Sequence, residues 1–263
     1  MNKLALIPAI RWVALGLFVV TLLMNYLSQG VLFEGKTIGE VSDKYSTLIT
    51  PAGYAFAIWG LIYLTLRAYV FYQAFRGRPE DKVYDRAAFP LVLNLIANSI
   101  WLVAFQLEYI ALSGIFMLVI LVTLIQLVII WTKDRSLPTK QRRLMRVPFS
   151  IYLGWISVAT IVNFSVVAKY TGWDVLGLSE PIWVVIMTSV GAALAVFVLL
   201  ATRNFMYPLV FVWAYVAIAV AQPDNQLIFI AALGWASIIF IADLIYFISQ
   251  RKAMNKEQLA MNN

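Results

Sequence analysis

The 263 residues are 62% hydrophobic and only 13% charged, against about 25% charged in ordinary soluble domains, so lipid must be the solvent for much of this surface. There is no cysteine and no histidine, which excludes thiol catalysis, disulfides and a Cys/His zinc site and removes the two commonest haem ligands. In a chain of this kind a net charge of +7 serves orientation and anionic-lipid contact, and no nucleic-acid partner is expected.

Eight apolar runs follow in order, near Ile10–Ser28, Pro51–Ala74, Phe89–Glu108, Ile110–Thr132, Pro148–Ala168, Ile182–Ala201, Phe205–Ala221 and Leu227–Ser249. All but the seventh approach or exceed the ~20 residues that cross a bilayer. Helix is the required backbone, because an unpaired amide in hydrocarbon costs several kcal/mol. The first run has Lys3 ahead of it, as a signal peptide would. Arg11 interrupts it, however, and Asn25-Tyr26-Leu27-Ser28 is a poor cleavage site, so an uncleaved helix is expected. The loop from Gln29 to Thr50 carries Glu34, Glu40 and Asp43. It is open to two readings, a lid over the bundle mouth or a plain connector.

Basic residues set the orientation. Lys3, Arg11, Arg76, Arg78, Lys82, Arg86, Lys133, Arg135, Lys140, Arg142, Arg143, Arg146, Arg203, Arg251, Lys252 and Lys256 fall on one side of eight spans, and only Lys36, Lys44 and Lys169 on the other. The asymmetry predicts that both termini are cytoplasmic. The fold class expected is therefore an all-α integral membrane protein, an eight-helix bundle with both ends inside. The basic stretch Lys133–Arg146 reads as an orientation signal that touches anionic headgroups.

Three spans carry an aromatic and polar stripe. The second has Phe56, Trp59, Tyr63 and Arg67; the third has Asn94, Asn98, Trp101 and Phe105; the fifth has Trp155, Ala159 and Asn163. Residues three or four apart share a helix face, and lipid is a poor partner for asparagine and arginine, so the stripes should face one another. They could be interhelical glue, or they could line a cavity for a flat, mostly apolar ligand. Arg67 and Asp243 lie at similar depth in spans two and eight, where two readings stand: an intramembrane ion pair between them, or Arg67 snorkelling to the cytoplasmic headgroups. No catalytic constellation, metal site or cofactor motif is present, so neither a catalytic residue nor a cofactor is assigned.

The same stripes carry a resemblance. Pro148, Tyr152-Leu153-Gly154-Trp155, Ala159 and Asn163 resemble the fifth helix of the TspO/MBR family of tryptophan-rich sensory proteins and translocator proteins. Asn98 with Trp101 resembles its Asn-x-x-Trp, and Pro51, Gly53-Tyr54, Phe56, Trp59-Gly60 and Tyr63 resemble its Pro-rich aromatic segment. The similarity covers roughly residues 10–170. Tyr54 stands where tryptophan is usual, the segment is one residue shorter between Phe56 and Trp59, and the family has five helices where this chain has eight. The resemblance implies a TspO-like five-helix bundle over residues 1–170, with three further helices and a short tail over 171–263. It also implies a pocket for a porphyrin-like tetrapyrrole, or a sterol or other lipid, with Tyr54, Phe56, Trp59, Tyr63, Asn94, Asn98, Trp101, Phe105, Trp155 and Asn163 as ligand-binding residues. A homodimer and a bacterial plasma-membrane location are implied too. A membrane sensor for such a ligand is the first reading. A small-solute or lipophile transporter and a membrane enzyme acting on a pigment stay open beside it.

Overall fold

The computed structural model describes residues 9–29, 35–78, 80–172 and 177–262, with side chains to residue 253. Lys3, Glu34 and the side chain of Lys256 lie outside them. The chain forms α1 (Ala9–Leu27), α2 (Ile38–Lys44), a 3-10 turn (Gly53–Ala57), α3 (Ile58–Phe75), α4 (Lys82–Gln106), α5 (Ile110–Lys133), α6 (Thr139–Tyr170), α7 (Glu180–Thr202), α8 (Met206–Ala221) and α9 (Gln226–Asn262). Seven of the helical segments are long and apolar enough to cross a membrane, the 3-10 turn counting with α3. The eighth, α8, has 16 residues and spans only ~24 Å. The result is an all-α membrane bundle, as the apolar runs predict. Val13, Leu23, Leu64, Ile115, Phe197 and Ile230 are exposed on its outside, where acyl chains replace water.

Helix ends run past the apolar runs where polar residues continue the spiral. α4 starts at Lys82 and α6 at Thr139, ahead of the expected Phe89 and Pro148. Both helices continue through an internal proline, Pro90 and Pro148. α2 is a helix within the Gln29–Thr50 loop. Thr37 caps it and Glu40 bonds back to the cap, a reciprocal capping box that satisfies two orphan amides.

α4 lies among α1, α2 and α5, and α6 packs on α3, α5 and α8. α6 is thus the seam between the first five spans and the last three. Close approach at that seam, and between α7 and α8, depends on missing side chains. A Cβ on Gly154 would sit 2.9 Å from the Val210 Cβ and 3.0 Å from the Tyr207 carbonyl oxygen, and one on Gly191 would collide with the Tyr215 hydroxyl. α8 is also tied to the turn before α3, where the Ala52 amide donates to the Ala217 carbonyl at 3.0 Å.

The buried arginine is Arg11. Its side chain is fully covered and donates to Asp85 at 2.7 Å and to the carbonyls of Arg78 and Asp81 at 3.1 Å. An ion pair and two carbonyls together satisfy a charge that would otherwise be costly to bury. The Arg67–Asp243 pair is not formed. α9 packs on α7 and α8, whereas α3 packs on α1 and α6. Arg67 is exposed with its guanidinium 5.7 Å from the Phe71 ring centre, and Asp243 is buried with no ion-pair partner among the described residues. The physical reason lies in helical drift: two steps of four residues turn Arg67 by about 80° from Trp59, out of the interior stripe.

Candidate ligand cavity

The stripes of α3, α4 and α6 converge. Trp59 stacks on Tyr63 at 5.4 Å and on Trp101 at 6.1 Å, and meets Tyr152 edge-on at 5.6 Å. Trp101 stacks on Phe105 at 5.5 Å, and Phe56 meets Trp155 edge-on at 5.8 Å. Offset and edge-on pairs are the favoured aromatic geometries, so the three helices share one aromatic layer. Asn98 crosses it, donating to the Tyr152 hydroxyl at 2.6 Å and accepting a long 3.5 Å bond from Tyr63.

Above this layer is a cavity of about 60 Å³. Of the expected ligand residues, Phe56, Trp101, Phe105, Trp155 and Asn163 line it, and Met117 of α5 completes the wall. Trp59, Tyr63 and Asn98 form the packed layer beside it. Asn94 belongs elsewhere. It donates to Thr123 at 2.9 Å and to the Ile120 carbonyl at 3.2 Å, joining α4 to α5. Tyr54 is 42% exposed and meets Trp213 of α8 edge-on at 5.3 Å, away from the cavity. Tyr152 is buried at the centre of the layer and absent from the expected set, although its motif stands in the sequence.

Polar groups in and around the cavity are unspent. The Trp59 and Trp101 indole nitrogens are buried without a partner, and Asn163 makes no side-chain hydrogen bond among the described residues. Gly114 of α5 leaves room for the asparagine, since a Cβ there would lie 3.2 Å from its Oδ1.

The roof of the cavity is the loop before α3. Ile38, Ser42 and Tyr45, from α2 and the residue after it, contribute to the wall, and Val41 is buried in the core. At the α4–α5 turn, Glu108 adopts φ 63°, a left-handed conformation that favours glycine. Its carboxylate accepts from the Lys44 ammonium and, at 2.7 Å, from the Tyr45 hydroxyl, with Lys36 at 3.6 Å. The Lys44 and Tyr45 donors hold the Glu108 carboxyl down to about 2. The same carboxylate pushes Lys44 and Tyr45 up. Glu108 is therefore a latch for α2. The signal that could have found α2 is Thr37-x-x-Glu40, a helix-start pattern in a loop otherwise read by length alone.

A family model described as TSPO-like protein matches residues 11–245. The match runs from α1 into α9 and so includes α7 and α8. No curated protein and no solved structure matches the chain.

Proposed function

The chain belongs to the TSPO-like (TspO/MBR) family, and from that membership we propose that it is a membrane sensor for a planar lipophilic ligand, a porphyrin-like tetrapyrrole, bound between α3, α4 and α6 beneath α2. The family supports a multi-pass membrane protein of ligand-binding, sensory type. The choice of cavity rests on one observation: aromatic walls from the 3-10 turn ahead of α3, from α4 and from α6 enclose Asn163, whose amide is unspent. Faces of Trp101, Phe105 and Trp155 suit stacking on a macrocycle, and the asparagine suits its polar edge.

Size decides how the ligand enters. Pockets for drug-sized ligands hold roughly 300–1,000 Å³, whereas this cavity holds about 60 Å³. The ligand-bound state thus requires α2 to lift from the bundle, and the Glu108 latch sets how readily it does. In this reading residues 1–170 form the ligand-binding bundle and 171–263 brace it. Both termini face the cytoplasm of a bacterial plasma membrane, and a homodimer is the assembly.

The test is a titration of the detergent-purified protein with protoporphyrin IX, read by tryptophan quenching and the porphyrin absorption band. Saturable binding weakened by both Trp155→Leu and Asn163→Ala is the expected result. Absence of saturable binding in protein shown to be folded would overturn the choice of ligand.

A further inference from the structure

At the end of the bundle where α6 begins, two clefts meet. One, of about 380 Å³, is lined by Trp131, Thr132, Ala201, Thr202 and five arginines, Arg135, Arg142, Arg143, Arg146 and Arg203. The other, of about 400 Å³, shares Arg143, Arg146 and Arg203 and adds Arg251 with the apolar side chains of Phe205, Met206 and Phe247. Among the described residues, no acidic side chain lines either cleft. The Asp134 carboxylate is engaged elsewhere, accepting from Arg86 at 2.6 Å and from the Ser136 amide and hydroxyl at 2.9 and 2.7 Å.

The cationic wall is built, not a loose spray of surface charge. Arg146 is pinned by the carbonyls of Thr202 at 2.8 Å and Arg203 at 3.2 Å, and Arg142 by the carbonyl of Asp134 at 2.6 Å. Carbonyls anchor these guanidiniums without neutralising them. Arg143 and Arg203 have no ion-pair partner among the described residues. Arg203 sits at φ 54°, ending α7 in the left-handed conformation. Glycine would take that conformation with least strain, so an arginine there gives up backbone ease for a side chain in the cleft.

We infer that the two clefts form a single site for an anionic phospholipid, with its phosphate among Arg143, Arg146 and Arg203 and an acyl chain along Phe205, Met206 and Phe247. Guanidinium groups match phosphate in charge and fork geometry. Basic pockets between helices at a membrane surface are where anionic headgroups bind. The apolar wall selects a lipid over a free phosphate compound: Met206 and Phe247 are 40% and 38% exposed, and Phe247 meets Phe205 edge-on at 5.2 Å. A soluble phosphate would have no use for that surface.

The experiment is native mass spectrometry of the detergent-purified protein with phosphatidylglycerol, phosphatidylcholine or inorganic pyrophosphate added. Saturable binding of phosphatidylglycerol over phosphatidylcholine is expected. Arg143→Gln/Arg203→Gln should weaken it about tenfold or more, while Arg76→Gln/Lys140→Gln, an equal loss of charge outside the clefts, should not. Thermal unfolding checks that both variants fold. Equal phosphatidylglycerol binding by the two variants overturns the site. Displacement of the lipid by pyrophosphate, at equal preference for the two lipids, overturns the lipid as occupant and assigns a free phosphate compound.

Discussion

The Trp213 indole donates to the Ala55 carbonyl at 3.1 Å, so a residue of α8 holds the turn that presents Phe56 to the cavity. Replacing Trp213 by phenylalanine removes that donor and keeps an aromatic ring against Tyr54. Stability should fall by about 1 kcal/mol, the usual net value of one hydrogen bond. Porphyrin affinity should fall with it, because Phe56 loses its fixed position. Thermal unfolding and the porphyrin titration measure the two effects separately. Lower stability at unchanged affinity would limit α8 to bracing the fold.

The α2 latch should respond to pH in a set direction. Glu108 has its carboxyl lowered from an ordinary 4.5 to about 2, so its contribution is complete above about 4.5 and disappears as pH falls through about 2. Lys44 is raised above 10.5, so its contribution is complete below that value and disappears as pH climbs past its raised value. Amide exchange in α2, corrected for intrinsic rates, should therefore stay flat across neutral pH and rise at the acid end. Glu108→Gln should show the raised exchange already at pH 7 and bind porphyrin faster. A variant whose exchange matches the native chain would leave the roof held by Ile38 and Val41 alone.

Asp243 offers a test with the opposite sign. A carboxylate buried in a membrane span without a partner is destabilising, by ~2.5–3.5 kcal/mol at the bilayer centre and less toward its edge. Asp243→Asn should therefore raise the unfolding midpoint, corresponding to a gain of about 1–3 kcal/mol. A lowered midpoint would mean that the charge has a partner when the protein sits in lipid.

The bundle and the aromatic layer are legible in the sequence because both depend on local spacing. Runs of apolar residues declare spans, and Trp59, Trp101 and Trp155 declare inward faces on three of them. Contacts between helices are not local, and there the reading thins. Asn94 and Asn98 share a stripe, yet one bonds to α5 and the other to α6, because α4 is enclosed by neighbours on several sides. Tyr152 gains its place only once Asn98 and Trp59 are beside it. Arg67 shares the spacing of its stripe but drifts to the outer face, while Arg11, read as an interruption near the start of its span, finds Asp85 seventy-four residues away.

The bare backbone of Gly154 has one more consequence. It lets α8 lie so close that the corresponding face of α6 is already filled by the same polypeptide. Any second copy must therefore approach from another side. In such a pair the two cavities would not open onto one another across α6, and each would be served by its own α2.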